Sequence, residues 1–515
     1  MVNKKGSLLP IDRVAIALML LLSIIILLVV SQGNVVAARV RDFTWQHQLI
    51  PEKDISLTDD SSDSNNVKIS KDHTSFSMTF TRPMDVKSVQ KNLKIDPPLA
   101  GKISWAGRRM VYTLFTPAPY GADYTLSLEG ARDRISVKEG EKNTIKPFQA
   151  SFKTRDRIIL YIGSEQEEKG RLILYNLTQE KKKILTSKDL VVIDFEPFPD
   201  GDKILFSAIP SRTQDLLAAK IYTVTTGVPT VFSRKTAAPG KVDLIINNKK
   251  YQNLKFDLSP DGEKIVIQRA SRSKTGDFGL WFMDVNRNEK SLQEIETSPG
   301  GDFMITPDSK AVAIAQGQGT AILPLQKDST TPLDFFPQFG LVKAFSRDGS
   351  KAAMVKFNTD FTRDLFLVTN QGEEKQLLRT DGRILKCQFD TASPTLYCLL
   401  TQLLSGELYQ EQPYLVGINL KTGEQKPLLI FPAEQRNLEI SLSPDGLGLL
   451  LDQTVPETNA SVTSNENSIQ TRTGSAITSS SLWLMPLLPV SDSSDTAKTK
   501  PQKLSLLGFH PRWLP

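Results

Sequence analysis

The residues able to do chemistry are few and scattered. Three histidines, His47, His73 and His510, run from one end of the chain to the other, so most metal and general-base chemistries lack a partner imidazole. Two cysteines, Cys387 and Cys398, exclude a four-thiolate metal site and a disulfide-dense scaffold. SVQK at 88–91 and KTG at 421–423 carry the letters of an acylating serine enzyme. Yet SRSK at 271–274 is a second Ser-x-x-Lys with no context, and LKTGEQKPL at 420–428 reads as a turn between strands. No Gly-x-Ser-x-Gly nucleophile elbow occurs. Asp59, Ser61, Asp63 and Asn65 alternate as a calcium loop begins, but Ser64 stands where the loop needs Gly and Ser70 where it needs a bidentate Glu. The expectation is no catalytic residue, no cofactor and no metal site.

Asp200, Asp261, Asp308, Asp348 and Asp445 recur at equivalent places, as the members of a ring of acids would. The chemistry of tight turns accounts for each of them without a function. Trp281, Trp483 and Trp513 follow a strand pattern and read as packing residues rather than a sugar platform.

The elements that hold these residues are legible from composition and pattern. A chain of 515 residues allows about three domains, and 39% hydrophobic with 23% charged residues is globular. Lys and Arg total 63 against 57 Asp and Glu, and a net +6 is too dilute for a nucleic-acid binder. Residues 14–30, VAIALMLLLSIIILLVV, form an apolar run about 26 Å long as a helix. With Lys4, Lys5 and Arg13 before it, the run predicts an uncleaved signal-anchor helix behind a cytoplasmic stub at 1–13. A cleaved signal peptide ending near Val-Ala-Ala at 36–38 is the alternative. This predicts a single-pass inner-membrane protein that contacts the lipid bilayer through 14–30, with its bulk in the periplasm or outside the cell. Residues 31–70, including the polar tract SLTDDSSDSNN, read as a tether.

Between 71 and 154 short alternating segments separated by Pro, Gly and Asp predict a β-sandwich. FSMTFTRPMD at 76–85, KISWAGRRMVYTLFTPAPYGADYTLSL at 102–128 and FQASFKT at 148–154 resemble the bacterial Ig-like domain of the S-layer type. That resemblance implies a spacer or adhesive role. The charged stretch at 131–146 departs from the family's usual turn.

From 157 to 515 the chain repeats. FEPFPDGDKILFSA at 195–208 recurs as FDLSPDGEKIVIQ at 256–268, FMITPDSKAVAIA at 303–315, AFSRDGSKAAMVKF at 344–357, QFDTASPTLYCLL at 388–400 and ISLSPDGLGLLLD at 440–452. Each unit reads as strand, tight turn, strand, and a third alternating strand such as GLWFMDV at 279–285 follows. Spacings of about 40–60 residues fit propeller blades, some carrying insertions. The repeat resembles the TolB-like family of periplasmic propellers, which implies a β-propeller but leaves function open. Insertions are expected at 234–251, a basic segment, and at 454–481, a Ser/Thr/Asn-rich one.

The fold class is thus read as all-β: an N-terminal transmembrane helix, an Ig-like β-sandwich and a seven-bladed propeller. RIILYIG at 157–163 has no first strand before it, whereas LLGFHPRWLP at 506–515 has the pattern of one. Joining them closes the ring; six blades with a loose tail is the alternative. In QFDTASPTLYCLL the hairpin centre falls between Ala392 and Ser393, which sets Cys387 opposite Cys398. A cross-strand disulfide is expected in an oxidising compartment, against two buried free thiols. The favoured function is a non-catalytic platform binding an envelope protein or peptide, with no nucleic acid. The alternative is a glycan- or peptidoglycan-directed lectin or enzyme using the propeller face.

Overall fold

The computed structural model describes residues 16, 18–24, 37–46, 75–134, 144–229, 237–285, 291–295, 301–317, 319–326, 334–406, 409–435, 437–456, 469–471, 474, 476–487 and 500–515. Their regular secondary structure is almost entirely β-strand. The expected transmembrane helix needs correcting. Within 14–30 only residues 16 and 18–24 are described, and no described helix is long and apolar enough to cross a membrane. The rest of that run, the stub at 1–13, the calcium-like tract, His47 and His73 lie outside the described residues.

The first β unit consists of two sheets. Val40–Gln46, Ser75–Phe80, Arg109–Leu114 and Gly101–Ala106 form one, in that order; Leu93–Asp96, Asp123–Leu128 and Phe148–Lys153 form the other. Alternation turns Phe76, Met78, Phe80, Met110, Tyr124, Leu126 and Phe152 inward, and Phe76 stacks on Tyr112 at 4.8 Å. Val40–Gln46 falls within the stretch read as tether. It pairs along Ser75–Phe80 and sends Phe43 against the core, so ordered structure begins earlier than the polar tract suggested.

Seven further sheets follow. Six are continuous in sequence, innermost strand first. Their inner strands are Leu190–Pro197, Tyr251–Leu258, Phe303–Ile305, Leu341–Phe345, Ile384–Phe389 and Ile440–Leu442, the first strands of blades 2 to 7. Blade 1 is composite. Ile158–Gly163, Leu172–Asn176 and Lys181–Ile184 supply three strands, and Gly508–Trp513 supplies the innermost. The inner strands adjoin one another around a ring. Ser-Pro-Asp-Gly turns join first strands to second. Gly262, at φ +73°, sits where a Cβ would lie 2.8 Å from Pro199 of the neighbouring turn, so its freedom serves both the turn and the packing.

Both segments read as insertions contribute strands. Val242–Ile246 is the outer strand of blade 2. In blade 7 the hairpin Gly448–Pro456 with Ala476–Pro486 runs far into the Ser/Thr-rich tract, pairing the buried Thr454 with the buried Ser480, because small and β-branched Thr and Ser side chains suit a packed strand as well as a loop.

Candidate functional site

One irregularity recurs on the inner strands. The register skips a residue between Val192 and Asp194, Asn253 and Lys255, Val342 and Ala344, and Ile384 and Lys386, and skips again between Phe509 and Arg512. These are β-bulges, which re-aim the side chains that follow. Just after three of the five comes a polar–apolar–polar triplet: Asp194-Phe195-Glu196, Lys255-Phe256-Asp257, Lys386-Cys387-Gln388. Phe195, Phe256 and Cys387 are buried, and their polar neighbours line a central channel of about 880 Å³ that Phe256 and Cys387 also border.

Most of the channel charges are spoken for. Lys255 pairs with Asp302, and Lys386 Nζ donates to Glu439 Oε2 at 2.8 Å. His510 Nε2 lies 3.0 Å from Asp194 Oδ1. Asp257 accepts from the Ile305 N–H of the next blade at 2.7 Å and from its neighbour Leu258 at 3.0 Å. Asp452 accepts from the Glu439 and His510 N–H groups at 2.6 and 2.8 Å, tying blade 7 to blade 1. These side-chain bridges knit adjacent inner strands while satisfying buried donors.

The channel separates its carboxylates electrically. Burial, reinforced by Asp257 and Asp194, pushes Glu196 up to about 7 against the pull of Arg512. Burial also lifts Asp452 to about 7 and raises Asp257. Glu439 is also buried, but Lys386, His510 and Arg512 hold it well below the usual carboxylate range. Asp302 is likewise lowered despite burial, with Lys255 the main cause. Among the described residues no group of three or more His, Cys, Asp or Glu side chains is arranged to hold a metal ion.

The residues singled out from sequence fall elsewhere or find local roles. Asp261, Asp308 and Asp348 each accept from a Ser or Thr hydroxyl two residues before them and from a backbone N–H two residues after, which is turn chemistry. Asp200 gives its carbonyl to Arg155 at 3.2 Å. Asp445 makes the same turn bonds, and its second oxygen also accepts from the Tyr120 N–H of the sandwich at 3.0 Å. Ser88 lies on the short helix Val86–Asn92 and accepts from the Arg132 N–H, whereas Lys421–Gly423 turns between the outer strands of blade 6, so the two serine-enzyme motifs have separate settings. Trp281 and Trp513 are buried in two different clusters of the propeller core, and the partly buried Trp483 packs against a third. Cys387 and Cys398 pair across the first hairpin of blade 6 with Cα atoms 4.2 Å apart and are joined by a disulfide.

The sequence reading missed the channel. It aligned the repeats on their turns and passed over the charged residues flanking Phe195 and Phe256. The signal was a charge on either side of the inner-strand aromatic, a few residues before each Pro-Asp-Gly.

A ring of seven four- or five-stranded sheets around a charged channel defines the molecule as a β-propeller. No protein-family model matches the chain, and no curated protein does. Among solved structures it is similar to TolB from Acinetobacter baumannii, at 12% identity and a TM-score of 0.37 over 82% of this chain and 83% of that one. It is also similar to a periplasmic gluconolactonase from Pseudomonas aeruginosa, at 13% identity and a TM-score of 0.41 over 70% of this chain and 99% of that one. The propeller itself is defined by the pairing of this chain's own strands.

Proposed function

We propose that the chain is a non-catalytic binding platform working outside the cytoplasm, with its propeller docking a protein partner on the face opposite the sandwich. The sandwich meets the propeller where first strands turn into second strands. Tyr120 bonds Asp445 there, and Arg155 reaches Asp200 and Pro515. Successive antiparallel strands put the second-to-third turns on the other face.

The observation that carries the reading is a patch on that face in blades 5 and 6. Phe361 is 87% exposed, Tyr409 78% and Ile430 65%, with Phe357 beside them. Arg363 lies over the Phe357 ring and donates to Gly382 at 2.6 Å, while Arg383 and Tyr409 both bond Glu411. Single exposed apolar residues are ordinary, but aromatics clustered with arginines are the composition of protein-binding hot spots. The Cys387–Cys398 bond suits an oxidising compartment.

The test is a photo-crosslinking residue at Phe361, compared with one at Glu263 on the sandwich side, followed by a Phe361→Ser/Tyr409→Ser variant. A discrete protein adduct at position 361 that is absent at 263 and lost with Tyr409→Ser supports the reading. Retention on purified peptidoglycan, with no protein adduct, would favour the glycan alternative instead.

A further inference from the structure

When the channel charges are matched with their partners, two of opposite sign remain. Lys255, Lys386, His510, Asp194, Asp257, Asp302, Glu439 and Asp452 each have a bond or ion pair described above. Glu196 and Arg512 have no hydrogen bond or ion pair among the described residues: the buried Arg512 Nε has no acceptor, and Arg512 acts on Glu196 and Glu439 only through its charge. They are close enough to feel one another's charge, yet they form no ion pair. The Arg512 Nε is buried without an acceptor, which costs free energy comparable to a lost hydrogen bond, while the partly buried Glu196 carboxylate faces the same channel, so a ligand entering it can bond both.

The surrounding charges restrict what that partner is. A simple cation would satisfy Glu196 but press against Arg512 and Lys386; a simple anion would satisfy Arg512 but press against Asp194 and Asp257. A molecule carrying both charges meets each uncommitted group and leaves the net charge of the channel unchanged. Phe256, Phe303, Phe345 and Phe509 line the same cavity and offer apolar surface beside the charges. At about 880 Å³ the space is ample for a molecule of a dozen heavy atoms.

We infer that the channel is a binding site for a small zwitterion of the α-amino-acid class, its ammonium group on Glu196 and its carboxylate on Arg512. Arg383 borders both this channel and the rim patch, but the two anchoring groups, Glu196 and Arg512, belong to the channel alone, so the assignment does not depend on the patch. An ammonium there also supplies the counter-charge that Glu196 lacks, opposing the burial that pushes its carboxyl up to about 7.

The test screens the full chain against the protein amino acids by thermal shift and measures the best ligand by titration calorimetry. The same amino acid is then offered N-acetylated, lacking the ammonium, and as its amide, lacking the carboxylate. The expected result is saturable 1:1 binding of the zwitterion, with each blocked form weaker by about tenfold or more. Glu196→Gln and Arg512→Gln should each weaken the zwitterion similarly, and Glu196→Gln should lose its preference over the N-acetyl form. The isosteric Glu196→Gln keeps the test decisive if Arg512→Gln fails to fold, with circular dichroism as the check. No binding by any amino acid, equal binding of the blocked forms, or unchanged affinity in a folded Glu196→Gln variant would each overturn the assignment.

Discussion

Phe509 lies opposite Ile162, and the strand that carries it becomes the innermost of a sheet whose other three strands are drawn from residues 158–184. Blade 1 is thus held together by segments from the two ends of the repeat region, and every neighbouring pair of blades around the ring is joined through an inner strand. Unpaired strand edges are removed only when this sheet forms.

That closure makes residues 508–513 essential to the whole propeller. Trp513 is buried, its indole Nε1 donates to Ser441 O at 3.0 Å, and its N–H donates to Ser441 Oγ at 3.2 Å, linking blade 1 to blade 7. Trp513→Ala should cost about 3–5 kcal/mol. Gly508 has no room for a side chain, since a Cβ would lie 2.3 Å from Tyr161 Cδ2 and 2.6 Å from Ile162 O. Deleting 506–515 should lower the midpoint of the entire propeller transition in chemical denaturation. An unchanged midpoint would defeat the closure.

Asp445 should stand apart from its turn counterparts. It is 2% exposed, and its second oxygen serves the Tyr120 N–H and lies 3.4 Å from Arg157 Nη2. Asp348 bonds only within its own turn, to Ser346 and Ser350. Asp445→Ala should therefore cost about 2–4 kcal/mol and speed proteolysis between the sandwich and propeller, whereas Asp348→Ala should cost about 1 kcal/mol. Equal losses in denaturant melts of the two variants would show that the sandwich contact contributes nothing.

The propeller was readable because its turns are made by a short chemical alphabet. Ser or Thr, Pro, Asp and Gly at fixed offsets specify a tight turn whatever surrounds them, and the flanking strands alternate. The missing first strand before Arg157 and the unpaired pattern at 506–515 likewise encoded the closure locally. Tertiary effects were harder to read. Val40–Gln46 has no turn signal to frame it, Val242–Ile246 sits in a basic stretch that reads as solvated, and strand pairing alone orders both. The channel was hidden because its charges come from blades far apart in sequence and converge only once bulges turn them inward. The apolar run at 14–30 satisfied a length and hydropathy criterion, but among the described residues no helix is long and apolar enough to span a membrane.

The Cys387–Cys398 pair gives a covalent prediction. Both residues are buried in the core of blades 5 and 6, opposite one another in register. Protein purified under oxidising conditions and analysed without reductant should be lighter by two hydrogens and resist alkylation. Replacing both with Ala should cost about 2–3 kcal/mol, as expected for closing a loop of this length. Full alkylation of both thiols in unreduced, denatured protein would reject the bond.

The pH dependence of stability follows from the channel carboxylates. Glu196 and Asp452 are both raised to about 7, from ordinary values of 4.5 and 3.8. Between those limits the folded chain holds protons that the unfolded chain has released, so stability must fall as pH rises through this window. Their contribution is fully present below about pH 4 and lost by about pH 8. Glu439 works the other way: held below its usual range, it stabilises above about pH 4.5 and loses that contribution as the pH drops. The raised pair begins to lose its contribution where Glu439 gains its own, so these three groups together place the maximum at about pH 4 and leave stability falling above it. Glu196 borders the open channel, where water screens part of its burial cost, so its share is about 1–2 kcal/mol. Glu196→Gln should therefore raise the melting temperature at pH 8, leave it little changed at pH 5, and flatten the slope between. A wild-type melting temperature that stays level or climbs from pH 5 to pH 8 would contradict this account of the channel.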